Sequence, residues 1–413
     1  MKAPEMIKVR MNFPKECLLD LHSSLKKELF KKNFLSKIKP KEKVGISAGS
    51  RHIKSISTVL ETLIDEIKKV GGEPYILAAM GSHGGGSISG QLKVLDSLGI
   101  NKDNFNVPVV GGVDTTILGY LDNGVPVNCL NHFLKMDKII VLNRIKPHTS
   151  FRGEIESGLL KMLTIGLGGP VGAKYVHQNC KGNMSQMIQK VGLHIIRSLP
   201  IIMGVAIIEN AYKETYRIEV ISPESILERE KSLLEIARNI MPKLPFETID
   251  LLICDEMGKC YSGTGMDTNI IGRLRTHNGN FNNNPYIKRI LVLDLAEASQ
   301  GNANGVGLAD FVTRKLVDKI DFYSTYLNCL TTGFLQRAMI PIIMNTDKEA
   351  IYTALESIIG NNETNPRIVR IKNTLDLENI WVSRGFINEI EELKLEIDGS
   401  WQSFTFTNNG TLL

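Results

Sequence analysis

The stretch KVGISAGSRHIKSISTVLETLIDEIKKVGGEPYILAAMGSHGGGS, residues 43–87, decides the fold. KVGIS (43–47) is an apolar run of strand length, and AGSRHIKS after it is a turn. Ile56, Val59, Leu60, Leu63, Ile64 and Ile67 then recur at the spacing of one helix face, and Gly71 supplies a C-terminal stop. YILAAM (75–80) is the next strand and runs into the loop GSHGGGS. Strand, helix and strand in this order predict a right-handed crossover between parallel strands. Further on, KIIVLNR (138–144) runs into IKPHTSFRG in the same manner. The expectation is an α/β chain whose first domain, residues 1–240, is a doubly wound, Rossmann-like, mainly parallel sheet.

A second unit is expected from 248 to 413. Ser222-Pro223 opens a helix through PESILEREKSLLEIARNI, MPKLPFE (241–247) carries two prolines and reads as a linker, and DLLICDE (250–256) and RILVLDL (289–295) are new strands. No internal repeat is visible. A cleft between the two domains is the expected place for a small-molecule site.

Composition narrows the function. The chain has 413 residues, 43% hydrophobic and 23% charged, which excludes a disordered polymer. The most apolar stretch, Leu199 to Ile208, is far shorter than a membrane helix. The N-terminus MKAPEMIKVRMNF lacks the apolar run of a secretory signal, so a cytoplasmic location is expected. Net charge is only +5, and the lysines of KKELFKKNFLSKIKPKEK have no interleaved aromatics; they read as a solvated surface, not a nucleic-acid groove. The six cysteines include no C-x-x-C pair, which implies neither a disulfide framework nor a thiolate zinc site.

Ligands of open parallel sheets bind beyond the carboxyl ends of the strands. Arg51, His83 and His148 each fall just past such an end. Histidine suits proton transfer near neutrality, and two histidines could serve opposite faces of one carbon. The segment GEIESGLLKMLTIGLGGPVGAKYVHQ (153–178) is denser still. Lys161 lies in the apolar helical run SGLLKMLTI, either snorkelling to solvent or acting as a nucleophilic amine of lowered pKa. GLGGPVGAK offers a turn and a helix start for a phosphate, although it is not a true G-x-G-x-x-G. His177 follows on the next helix, where a structural role is the default.

These residues, in the order SAGSR, AAMGSHGGG, KPHTSFRGEIESGLLKM and VHQ, resemble the nickel-pincer-nucleotide-dependent lactate racemases and their 2-hydroxy-acid racemase and epimerase relatives. The resemblance implies an isomerase that inverts the hydroxyl-bearing C2 of a 2-hydroxy acid by hydride transfer to a nickel-bearing, nicotinate-derived mononucleotide. It further implies that Lys161 bonds covalently to a thio-acyl arm of that cofactor, and that His177 supplies the protein's own nickel ligand. Arg51 would hold the cofactor phosphate, and His83 and His148 would be paired acid/base residues. The implied partners are the small hydroxy acid and the enzymes that make the cofactor, with neither nucleic acid nor membrane. This chain departs from the pattern in two places. RGEIE (152–156) stands as extra residues before SGLLK, and the family's acidic position three before the arginine is Ala48 here.

In the second domain, Asp267, Asn269, Gln300, Asn302 and Asp310 lie in polar loops after apolar strands; they are ordinary turn residues or the substrate-reading wall of the cleft. Two other functions stay open: a zinc-dependent hydrolase built on His83, His148 and His177, and a nucleotide-binding protein without catalysis.

Overall fold

A computed structural model of the chain describes residues 4–31, 33–275, 284–358 and 365–413. The chain divides into two compact units, one of Pro14–Met241 and one of Pro242–Leu413 joined by the N-terminal segment to Phe13. No helix among the described residues is long and apolar enough to cross a membrane.

The strands in chain order are β1 (Glu5–Arg10), β2 (Lys43–Ala48), β3 (Glu73–Ala78), β4 (Val109–Val110), β5 (Thr115–Tyr120), β6 (Pro126–Leu130), β7 (Lys138–Arg144), β8 (Ile201–Glu209), β9 (Thr215–Ile221), β10 (Thr248–Met257), β11 (Tyr286–Leu295), β12 (Phe311–Thr313), β13 (Ile342–Met344), β14 (Ile368–Ile371), β15 (Asn379–Ser383) and β16 (Glu396–Ser403). In the Pro14–Met241 unit six of them form a sheet in the order β4-β3-β2-β7-β8-β9. All its pairs are parallel except β8 with β9, and β5 pairs with β6 as a separate hairpin. The quoted stretch behaves as its periodicity predicts. Helix Ile56–Lys69 buries Val59, Leu60, Leu63, Ile64 and Ile67, and joins β2 to the parallel β3 with Ile46 opposite Ile76. Its apolar face packs into a core with Val44, Ile46, Ile76, Ile140 and Val205.

The strand order matters for function. From β2 the chain winds outward through β3 to β4, then returns to lay β7 on the other side of β2. The order therefore reverses between β2 and β7, where their carboxyl ends leave a crevice suited to a ligand.

The Pro242–Leu413 unit holds the order β13-β12-β11-β10-β14-β15-β1-β16, parallel from β13 to β14 and antiparallel beyond. The division at Met241/Pro242 falls within the expected linker, whereas the N-terminal boundary differs from the expectation. β1 belongs here and not with the domain that follows it in sequence, because its edges are completed by β15 and β16, with Met6 opposite Ser383 and Lys8 opposite Asp398. Pairing across such a distance leaves no local sequence signal. The segment 241–247 does lack helix and strand, but it is no loose tether: Leu244 and Phe246 are buried, and the Phe246 ring lies 4.2 Å from that of Phe386.

Candidate active site

The loops after β2 and β3 bring Ser50 and His83 together, and the loop after β7 carries His148. Ala79 N–H bonds Ala48 O at 2.8 Å, so the turns leaving β2 and β3 start side by side. Ser50, next to Arg51, hydrogen-bonds Nδ1 of His83 through its hydroxyl. Gly84, Gly85 and Gly86 all take left-handed φ angles of 62–67°, a run that side chains with a Cβ strongly disfavour. This is why the GSHGGG loop can double back beside Gly90 and present His83 at its start.

His148 sits in a loop closed at its base by Lys146 N–H to Ser157 O, 3.0 Å, with the return bond at 3.3 Å. The Glu156 carboxylate, fully buried, organises this loop. It accepts from the backbone N–H of His148 at 2.5 Å and of Gly153 at 3.2 Å, and pairs with the Arg238 guanidinium at 2.7 Å. Arg152 donates to His148 O, and the Phe151 ring stacks on the His148 imidazole at 4.3 Å. The residues RGEIE therefore brace His148 from within its own loop.

Lys161 ends the short helix Leu159–Lys161, which continues as a π-helical turn over Met162–Leu167 and then as helix Gly169–Asn179, carrying His177. π-turns inside helices cluster at functional sites. The helix start is capped from below by Glu230, which accepts Leu160 N–H at 2.9 Å; burial lifts this carboxyl's pKa to about 7. Close approach is possible because the facing positions are glycines. A Cβ on Gly49 would come within 2.8 Å of Met162 Cε, and one on Gly81 within 3.1 Å of Ala173 Cβ. A larger residue at Gly49 would make the Met162 side chain move, and one at Gly81 would need the Ala173 helix to give by a few tenths of an ångström.

The site is crowded with positive charge. The Lys161 ammonium is desolvated and repelled by Arg51 and Lys146, which brings its pKa down to about 7 despite the nearby Glu156. Burial and then Arg144 lower Arg51, although its own surface remains exposed. His177 is likewise solvent-accessible, and burial followed by the Lys161 charge lowers its pKa. The accessible surface governs whether a ligand can reach these groups, and it is open at both. Near neutrality such an arrangement offers an uncharged imidazole, a half-neutral amine and fixed cations that favour an anion. Arg144 is paired with Glu209, which also accepts Lys54 N–H at 2.9 Å and so ties β8 to the loop after β2.

Several of these residues escape a reading of the sequence. Arg144 ends β7 and Lys146 follows it, much as Arg51 follows β2, so strand-end position was a usable signal. Ser50 and Glu156 had none, since each acts through contacts made by folding. Glu230 stands on the apolar face of its helix with Ile226, Leu233, Leu234 and Ala237, where an acidic residue is conspicuous.

The polar residues of the other unit serve its own loops. Asp310 binds Arg273 at 2.7 Å, Arg275 at 3.0 Å and Ile290 N–H at 2.8 Å. Asp267 caps helix Thr268–Ile271, accepting from Asn269 N–H at 2.9 Å and Asn269 Nδ2 at 2.7 Å. Asn302 accepts Asn304 N–H at 3.2 Å, whereas Gln300 is exposed on a left-handed turn residue. Asp267, Asn269, Asn302 and Asp310 thus all take part in bracing their own loops.

Among the described residues, no group of three or more His, Cys, Asp and Glu side chains could hold a metal ion. His83, His148 and His177 accordingly do not form the zinc centre of the hydrolase alternative. A metal gripped mainly by an organic cofactor needs only one protein donor, and that requirement is compatible with an isolated His177.

No protein-family model matches the sequence, and no curated protein matches it. Among solved structures, a protein from Thermotoga maritima is 13% identical over 75% of this chain and 80% of its own, with a TM-score of 0.48. The lactate racemase apoprotein from Thermoanaerobacterium thermosaccharolyticum is 13% identical and covers 90% of this chain and 99% of its own, with a TM-score of 0.58. Across nearly its whole length, this chain has the fold of that lactate racemase.

Proposed function

We propose that the protein is an isomerase that inverts the hydroxyl-bearing C2 of a 2-hydroxy acid, using a nickel-pincer nucleotide held in the Pro14–Met241 unit. The reading is supported by the run of helix that carries Lys161 and, through a π-helical turn, His177, with Arg51 near enough to Lys161, and Lys161 to His177, for their charges to add to the effect of burial. The residues suit such a group. An amine with a pKa of about 7 is substantially unprotonated at neutral pH and able to form a bond to a thio-acyl carbon. A neutral imidazole suits nickel, and the Arg51 guanidinium suits a phosphate.

The chemistry such a cofactor supplies when bound is reversible acceptance of a hydrogen together with its bonding electrons. The chain's own residues do the rest. Arg51 and Lys146 favour anionic groups, His83 and His148 attend the substrate hydroxyl, Glu156 holds the His148 loop, and Glu230 caps the helix that ends at Lys161. Loss of the hydroxyl proton together with the C2 hydrogen and its bonding pair would make C2 a carbonyl carbon, whose two faces would be open to return of that hydrogen.

The test is nickel content and intact mass of the protein co-expressed with cofactor-making enzymes. The wild type should carry a covalent adduct and nickel. His177→Ala should keep the adduct and lose most of the metal, a larger effect than the about 10–100-fold typical of losing a residue that merely supports a ligand. Full nickel retention in this variant would assign the metal to another donor, and an unmodified wild type would reject the cofactor.

A further inference from the structure

We infer that the protein is a homodimer whose two copies meet through helix Phe322–Thr332 and the segment that follows it. An ordinary surface helix hides its apolar stripe and shows its polar one. This helix does the reverse. Its hidden side chains are Thr325 and Cys329, 0% and 1% exposed. Thr325 Oγ1 accepts Ala303 N–H at 3.0 Å and donates to Asp321 O at 2.8 Å, and Cys329 Sγ donates to Asn304 Oδ1 at 3.1 Å. Asn328, next to Cys329, accepts from Lys259 Nζ. The opposite side shows Tyr323, Tyr326 and Leu330, spaced i, i+3 and i+7, with 77%, 45% and 67% of their surface exposed.

The chain goes on showing apolar side chains beyond the helix. Gly333 closes the helix in a left-handed conformation, and Leu335–Ala338 packs back against it. Leu335, Met339 and Ile342 then remain 50–60% exposed. Ile342 begins β13, the terminal strand of its sheet, which pairs with β12 alone among the described residues. At about 150–250 Å² for a side chain of this size, six of them exposed by about half present on the order of 600 Å². That matches the largest apolar patch of a typical monomer, about 300–600 Å², and approaches the roughly 800 Å² each partner buries in a standard interface. A polar margin supplies the remainder.

The occupant that fits this face is a second copy. Between Asp321 and Asp347 the sequence has one charged residue, Arg337. Its guanidinium is drawn inside: the residue is 3% exposed and lies 4.4 Å over the Phe334 ring. The stretch therefore carries no exposed charge to repel an identical face, and none to select an oppositely charged partner. It also lacks the exposed Lys and Arg with which a surface helix meets an anionic bilayer. A twofold contact sets a patch against itself, and an uncharged apolar patch is complementary to its own copy.

Sedimentation equilibrium of the full cofactor-free chain, from about 1 to 100 μM, should reach twice the mass of one chain. Leu330→Glu buries a carboxylate in an apolar contact twice per dimer, and should raise the dissociation constant at least about 30-fold. The position is exposed in the single chain, so the far-UV circular dichroism should match wild type. Leu19→Glu, at a 98% exposed leucine of the Pro14–Met241 unit, should leave the dimer intact. A wild type that stays monomeric, a Leu330→Glu variant that stays dimeric, or equal weakening by both substitutions overturns the inference. A second measurement needs no variant: amide hydrogen exchange over residues 323–342 should be slower in concentrated than in dilute wild type. Identical exchange at both concentrations overturns the inference as well. Both readouts are independent of turnover, so neither result bears on the isomerase reading.

Discussion

Lys161→Ala should abolish the covalent adduct and reduce isomerisation to background, a loss of about 10⁶-fold or more, because the hard step belongs to the cofactor that this lysine anchors. The variant should nevertheless fold well. The wild-type amine has a pKa of about 7 in the folded chain against the ordinary lysine value of 10.5, so folding disfavours its charged form. The sign follows from that depression. Below about pH 7 both states carry the charge and the penalty is complete; it shrinks as pH rises from 7 toward 10.5. Removing the amine should consequently raise Tm more at acidic than at alkaline pH in cofactor-free protein. Thermal melts across that range check the sign, and intact-mass spectrometry checks the adduct. An adduct of unchanged mass on the variant would show that another residue is the anchor.

The second large effect is expected at Glu156. Its buried carboxylate receives two backbone N–H groups and the Arg238 guanidinium. Glu156→Ala leaves both amides without their acceptor, while Arg238 keeps Glu235 and the Gly153 carbonyl; the loss should be about 2–4 kcal/mol in stability, at about 1–3 kcal/mol for each unsatisfied donor. Glu156→Gln should cost less, since its amide oxygen still accepts. The midpoint of the first denaturant-induced transition measures this, provided it is compared at constant slope. A loss below 1 kcal/mol, the order of one ordinary hydrogen bond, would mean the loop holds its shape without the carboxylate. Catalysis should fall along with stability, because the same atoms position the His148 backbone.

Local periodicity made the first sheet legible. Helix Ile56–Lys69 and strands β2, β3 and β7 lie where apolar spacing and turn residues put them, since each buries its face against its neighbours in sequence. The allocation of β1 was hidden because its partners lie more than 360 residues away. At the site, the residues that follow strand ends were visible as types in suggestive places. What joins them was not. Glu156 and Ser50 act through a backbone N–H and a ring nitrogen whose approach depends on loop closure. Asp267 and Asp310 read from sequence equally as turn residues or as substrate contacts, and in the structure they meet a helix N-terminus and two arginines. Polar loop residues carry the same sequence signal whether they face a ligand or brace a turn.

The central claim concerns how the hydrogen at C2 moves, and isotopic labelling tests it most directly. The substrate should be deuterated at C2 and turned over in ordinary water by the cofactor-loaded enzyme. A deuterium that leaves with its bonding pair is never attached to a histidine nitrogen, from which it would exchange with solvent. The product of opposite configuration should therefore retain its label, and the labelled acid should react more slowly than the unlabelled one. Substantial loss of deuterium within a single turnover would contradict the account and assign the reaction to direct proton transfer between His83 and His148.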